Sequence, residues 1–423
     1  MRILNKNLKS KKKVTVIGGG IIGLATACCL IQNNFEVTII DSTGLKNRAS
    51  SATAGIIGGS SVIPWANDHL WSKIPSMIQS KDSPLNVELP LPSDFISFIY
   101  KSWKAGSKSQ INLSSRGLAS LGLKGWSDWQ SLLRPHKKSL QFFSQKGCLL
   151  YYSNNDEYLN EIKNNDLRRK HGMKIKNLNT KNLFSKIPKT EDQKPLASLI
   201  LKAGHFSNPL KFQESLTKEL VKKGVKIISA KANSFVTNKN KINAVNTNKG
   251  KIESDIVVIC AGAGGKFLAK ELGSSVSLLP AWGTSVILHK PELKIDLPIL
   301  FEKKGFAIVP NSGDLRIAGL VQVGGKNNKR NIKFENVLLN HVKNIFGDFK
   351  YQSKSSETGA RPLTPDSLPI IGKSPNYENA YFNFGHGHWG MTHAPVCAYL
   401  ISDLITKRKN KINIKPYDIS RFN

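Results

Sequence analysis

VTVIGGGIIGLATACCLIQNNFEVTIID, residues 14–41 of a 423-residue chain, decides the fold. Val14–Ile17 is a short apolar, β-prone run without alternation, the pattern of a strand buried on both faces of a parallel sheet. Gly18-Gly19-Gly20-Ile21-Ile22-Gly23 follows and fits G-x-G-x-x-G. A helix rich in Ala, Leu and Ile runs to about Gln32, Asn33-Asn34 ends it, and Phe35–Ile40 forms a second strand closing at Asp41. Gly18 permits the tight turn, Gly20 lets the backbone approach a pyrophosphate, and Gly23 lets helix and strand pack closely. Phosphates would rest on the free N–H groups at the helix N-terminus, beside Ile22, at the positive end of the dipole. Asp41, 18 residues past Gly23, is set to accept hydrogen bonds from an adenosine ribose. The glycine motif alone is weak evidence. Strand, helix, second strand and acidic terminus in register make it a dinucleotide-binding βαβ unit.

Two further stretches read as walls of the same site. Arg48–Gly59, RASSATAGIIGG, is dominated by small residues and hydroxyls that let backbone run close to a flat ligand. Asp255–Cys260 is another buried strand, ending in Ala261-Gly262-Ala263-Gly264-Gly265, a second glycine turn at a strand end.

The chain is long enough for a large core and two domains. It carries 62 Lys+Arg against 29 Asp+Glu, a formal charge of +33. The lysines are scattered among many asparagines, so the excess reads first as a compositional bias on a solvated surface. Weak attraction to an anionic membrane surface comes second. A basic nucleic-acid-binding protein with a dinucleotide site would need an aromatic-interleaved basic run, and none occurs. The five cysteines (28, 29, 148, 260 and 397) include no C-x-x-C, which argues against a disulfide framework and a zinc site and for a reducing compartment. Lys11–Lys13 before an apolar stretch imitates a signal peptide, but its glycines fit a βαβ turn better. No other stretch is apolar for long enough to predict a membrane span.

Residues 1–13 read as a frayed basic tail. Residues 60–110, with Trp65, Trp71, Pro75 and Trp103, read as irregular chain plus a helix near Ser93–Ala105 capped by Ser93 and Asp94. Leu113–Leu133 reads as one helix, and Gly147–Tyr152 as a strand. Asn208-Pro209 opens a helix to Lys223. A three-stranded meander covers 234–254. Antiparallel strands are expected at 278–288, 297–301, 305–310 and 314–318, and a helix over 331–345. Gly359–Gly372, GARPLTPDSLPIIG, reads as a proline-punctuated loop entering a short strand. Strand 380–384, the loop GHGHWGMT at 385–392 and a helix from about His393 to Thr406 close the chain.

These pieces, in this order and over nearly the whole length, resemble the FAD-dependent D-amino-acid oxidase superfamily, and most of all the bacterial D-amino-acid dehydrogenases of the small-subunit type. The resemblance implies an α/β fold: a doubly wound, Rossmann-like FAD-binding domain with an inserted α+β substrate domain containing a mixed or antiparallel sheet. It implies FAD-binding segments at 1–80, 200–278 and 350–423, and substrate-binding segments at 81–199 and 279–349. The implied cofactor is non-covalent FAD rather than NAD. Gly18, Gly20, Ile22, Gly23 and Asp41 would hold its ADP half, and Ser50, Ser51, Ala54 and Gly55 the pyrophosphate and ring. Val236 would reach the adenine, Ala261 and Gly262 the ribityl chain, and Gly387, Gly390, Met391 and Thr392 the isoalloxazine.

The resemblance further assigns substrate-carboxylate binding to Arg361. The chemistry agrees, because a planar guanidinium binds a carboxylate through two parallel hydrogen bonds and stays charged. His388 and Trp389 complete the expected catalytic set as pocket walls. His386, His388 and His393 lack the acidic or thiol companions of a metal site, and His386 is also a candidate for covalent flavin attachment. The family's Gly-Tyr pair near position 280 is absent. Pro280-Ala281-Trp282-Gly283-Thr284 stands there, with Thr284 in place of the tyrosine and Trp282 as the bulky residue.

The implied reaction is oxidative deamination of a D-amino acid or cyclic D-imino acid, by hydride transfer from the α carbon to flavin N5. Electrons would pass on to a quinone or another acceptor. A glycine- or sarcosine-type amine oxidase using oxygen is the alternative. The expected location is cytoplasmic, with peripheral contact at the inner face of the plasma membrane.

Overall fold

The computed structural model describes residues 11–43, 48–58, 62–66, 83–325 and 331–422. Most of the expected basic tail, together with Trp71 and Pro75, lies outside the described residues.

Two large sheets organise the described residues. The first is six-stranded and starts from strand β1 (Lys13–Ile17), helix α1 (Ile21–Gln32) and strand β2 (Glu36–Asp41). β1 lies between β2 and the Ile256–Ile259 strand, parallel to both, with Val16 opposite Ile39 on one side and Val258 on the other. The Lys226–Ser229 and Ala380–Phe384 strands extend the parallel set, and Ile370–Lys373 pairs antiparallel at the edge. The uninterrupted apolar strands follow from burial on both faces. Val14, Val16, Ile39 and Val258 pack with α1 and the Gly390–Ile405 helix, while Ile17, Ile40, Val257 and Ile259 face a second cluster. The expected meander is present as Ala232–Asn238, Lys241–Thr247 and Gly250–Glu253.

The second sheet has nine strands, mostly antiparallel. At its edge Ser353–Leu363 pairs along its whole length with Leu279–His289, which pairs in turn with Asp314–Gly324. The first part of the expected 359–372 loop is therefore strand. Pro362 is tolerated because an edge strand points half of its N–H groups away from its neighbour. This strand falls on the expected FAD-binding side of the boundaries, yet its hydrogen bonds belong to the other sheet.

Three helices differ from the sequence reading. Leu113–Leu133 is two helices, Lys108–Gly122 and Gly125–Leu132, broken at Leu123-Lys124. The Phe95–Ala105 helix has Asp94 at its N-cap position, but the Asp94 carboxylate binds Lys266 instead of capping. The last helix begins three residues early, at Gly390, with Pro395 inside it. The Asn208 cap is as expected, its side chain accepting the Lys211 N–H at 3.0 Å. All five cysteines are buried and free, and among the described residues no helix is long and apolar enough to cross a membrane.

Candidate active site

The glycine turn has the geometry its spacing predicts. Gly18 sits at φ 107°, where a Cβ would stand 2.5 Å from the Cys260 carbonyl oxygen; a Cβ on Gly23 would meet the Gly18 oxygen at 1.8 Å. Only glycine lets β1 turn into α1 so close to the neighbouring strand. Gly20 is the N-cap of α1 and brings no side-chain cap, and the first turn carries no acidic residue. Apart from the Ile21 N–H, which Ser50 takes, the positive end of the helix is thus left to an external anion.

Asp41 is tied into this turn. One carboxylate oxygen accepts the Gly19 N–H at 2.6 Å, and the other lies 3.0 Å from the Arg48 guanidinium and accepts the Thr43 N–H at 3.0 Å. Arg48 also donates to the Gly19 carbonyl. The carboxylate expected to meet a ribose therefore also clamps the glycine turn, and Arg48, not singled out as a site residue, is its partner.

Ser50 receives the Ile21 N–H at 3.3 Å and donates to Gln213 Oε1 at 2.7 Å. Gln213, fully buried, returns hydrogen bonds to the Ser50 and Pro209 carbonyls. The second wall is thus bolted to α1 by Ser50 itself and to the Pro209–Lys222 helix by a glutamine 163 residues away, which no local pattern in the sequence marks.

These elements line a cavity of about 790 Å³. Gly18, Gly20, Ile22, Asp41, Ser50 and Ala54 line it, as do Ala261, Gly262, Gly387, Gly390, Met391 and Thr392, and so do Arg361, His388 and Trp389. Four expected residues do not. Gly23 packs under the turn. Ser51 is buried, its carbonyl accepting from Arg316 at 3.1 Å. Gly55, at φ 75°, lies against Pro209. Val236 sits in the meander, and Ala230–Asn233 reaches the cavity in its place, because the Ala230 N–H bonds to the Asp41 carbonyl and brings that segment alongside.

At the other end Arg361 Nη1 donates to the Leu320 carbonyl at 2.7 Å. Leu320 lies at φ 54°, where its strand leaves Phe306–Asn311 and turns to pair with Leu85–Glu88. Gly283 leaves the space the guanidinium fills. Burial acts on the Arg361 charge, lowering its pKa to about 10, and among the described residues no acidic side chain offsets it. Trp282 lines the cavity beside it, while Thr284 is buried away from it.

The 385–392 loop hangs from the same strand, since the Gly387 N–H bonds to the Pro362 carbonyl at 3.0 Å. His388 opens onto the cavity, yet the surrounding protein and then the Arg361 charge hold its pKa down to about 3. Burial does the same to His386. Both are neutral imidazoles at physiological pH. The first turn of the Gly390–Ile405 helix carries no acidic residue and lines the cavity, giving a second positive helix end there.

The residues fit FAD. At Gly262, φ 54°, nothing lies within 4 Å of where a Cβ would stand, so the backbone presents a bare face. Two helix N-termini without acidic residues in their first turns, after Gly20 and Trp389, border a lining that includes Asp41 and Arg361.

The model of the DAO family, described as FAD dependent oxidoreductase, matches residues 13–404. A D-amino-acid oxidase of Bradyrhizobium diazoefficiens is 25% identical over 418 residues, covering 97% of this chain and 99% of the relative. A D-amino acid dehydrogenase of Rhizobium rhizogenes is 23% identical, covering 97% and 100%. Among solved structures, glycine oxidase from Geobacillus kaustophilus superposes with a TM-score of 0.73 at 19% identity, over 97% of this chain and 99% of that one.

Proposed function

Because this chain belongs to the DAO family of FAD-dependent oxidoreductases, we propose that it oxidises the Cα–N bond of a D-amino acid or a cyclic D-imino acid. The coarser statement, FAD-dependent oxidation of an amine, follows from the family and its relatives. The D configuration is taken from the names of the two relatives, and one observation carries the amino-acid carboxylate. Arg361 is a charged guanidinium held on a backbone carbonyl, without an acidic partner among the described residues, at the wall of the cavity.

FAD, when bound, supplies the two-electron acceptor. The chain's own residues do the rest. Arg361 has five N–H donors and spends its strong bond on Leu320, so donors are left to grip an α-carboxylate. That carboxylate would restore the charge balance which burial denies Arg361. His388 is too weak a base to take a proton at neutral pH and acts as a neutral hydrogen-bonding wall for the amine. Gly390, Met391 and Thr392 put a positive helix end on the cavity wall, where it would favour negative charge on the cofactor ring. The cofactor would be held without a covalent bond, and a quinone or another carrier would take up the electrons. The chain divides into FAD-binding and substrate-binding parts near the boundaries expected from sequence.

Trp282 on the cavity wall favours a second reading, a small substrate such as glycine or N-methylglycine. Anaerobic bleaching of the flavin band separates the two. Reduction by D-amino or D-imino acids, lost in Arg361→Ala, supports the first reading. Reduction by glycine or sarcosine alone supports the second, and no reduction by any of them overturns both. Oxygen uptake stoichiometric with substrate, without an added carrier, would replace the quinone with oxygen.

A further inference from the structure

The Phe95–Ala105 helix is amphipathic the wrong way round for a protein meant to be wetted on that side. Phe98 is buried and stacks on Trp65 at 5.8 Å, in a cluster with Leu279, Ala281 and Leu363. Yet Ile96, Tyr100 and Trp103 are 84%, 53% and 61% exposed. Their spacing of four and three places them on one helical face, and the Tyr100 and Trp103 rings stack at 6.4 Å. Leu89, 83% exposed, leaves the segment whose Leu85 and Leu91 join the same cluster.

The charge beside this face has one sign. Lys104 Nζ lies 4.7 Å above the Tyr100 ring. From residue 94 to residue 124 there are five basic residues and one acidic residue, Asp94, which is already paired with Lys266. Glu88, the nearest acid on the other side, is bonded to Asn86 and Gln322. Exposed Ile, Tyr and Trp flanked by lysines suit the headgroup boundary of a bilayer, where aromatic rings keep a wet edge and lysine stems cover apolar surface.

We propose that this face docks the protein on an anionic lipid bilayer, with Ile96, Tyr100 and Trp103 in the interface and Lys101 and Lys104 on the headgroups. The inference does not rest on the substrate assignment. The buried side of the helix packs on the strands that carry Trp282 and Arg361, so docking would hold the cavity near the membrane surface.

The experiment is co-sedimentation of the full-length holoprotein with phosphatidylcholine vesicles, with and without phosphatidylglycerol. The decisive variant is the triple Ile96→Ser/Tyr100→Ser/Trp103→Ser. It changes no charge, so it separates this face from the general pull of a basic protein. We expect binding to mixed vesicles that weakens at high salt and falls about tenfold or more in the triple variant, with flavin content and substrate reduction unchanged. Equal binding of wild type and variant would overturn the proposal, as would no binding by the wild type. A dimer that the triple variant splits, without vesicle binding, would give the face to a second copy of the chain and overturn it too.

Discussion

A Cβ built on Gly283 would stand 2.3 Å from Cζ of Arg361, so the guanidinium occupies the volume that any side chain at 283 would need. Gly283→Ala should push Arg361 off the Leu320 carbonyl without touching the cofactor cradle. A charge-assisted hydrogen bond nets about 1.5–3 kcal/mol, so substrate KM should rise about tenfold to a hundredfold. Flavin content should not change. Substrate titration of anaerobic flavin reduction checks this, and an unchanged half-saturation would mean Arg361 does not hold the substrate.

Two glycines of the cradle should fail in different ways. At Gly23 a Cβ would meet a backbone oxygen at 1.8 Å, so Gly23→Ala forces α1 off β1 and should cost folded protein outright. At Gly262 a Cβ meets nothing, and the penalty is confined to a φ of 54° and to the cavity wall. Gly262→Ala should therefore fold, lose about 1 kcal/mol to the left-handed backbone, and bind FAD more weakly. Circular dichroism with flavin fluorescence on dialysis separates the two outcomes. Wild-type FAD retention in Gly262→Ala would remove that residue from the cofactor path.

The βαβ unit is legible because a strand buried on both faces shows as an unbroken apolar run and because the glycine spacing encodes backbone geometry. The strand carrying Arg361 is not. Pro362, Pro365 and Pro369 read as loop, and only the pairing with Leu279–His289 shows that Pro362 sits on an edge where a missing N–H is tolerated. Gln213, Leu320 and the Ala230–Asn233 approach are equally illegible, since each acts through a contact between distant segments. The helix break at Leu123-Lys124 falls between Gly122 and Gly125, glycines whose weak helix propensity outweighs the apolar periodicity there.

Arg168 is 1% exposed, donates twice to Glu302 at 2.7 and 2.8 Å, and lies 3.7 Å from Glu161. Arg168→Met would strand two carboxylates. Removing one partner of a buried pair costs about 3–5 kcal/mol, and with Glu302 partly exposed the low end, about 3 kcal/mol, is expected. Burial and then the Glu302 charge already raise the Glu161 pKa. The deficit against wild type should therefore narrow as pH falls to 5 and Glu161 takes up a proton. Thermal unfolding of both proteins at pH 7.5 and 5 tests this, and a deficit independent of pH would remove the charge argument.

Burial sets the acid response of the wild type. It lowers the pKa of His386 to about 3, and burial followed by the Lys146 charge lowers that of His205 to about 4. Each imidazole has a folded pKa below the unfolded value of about 6.5, so between these limits the unfolded chain binds more protons. Their stabilisation is fully present above about pH 6.5 and is lost as pH falls toward the folded values. At pH 5 each imidazole should cost about 2 kcal/mol relative to pH 7.5. His205, 2% exposed, lies away from the cavity lining, so His205→Leu removes one titrating group without disturbing the site. The fall in Tm between pH 7.5 and pH 5 should be smaller in that variant than in wild type. An equal fall would show that the His205 imidazole charges without penalty in the folded protein.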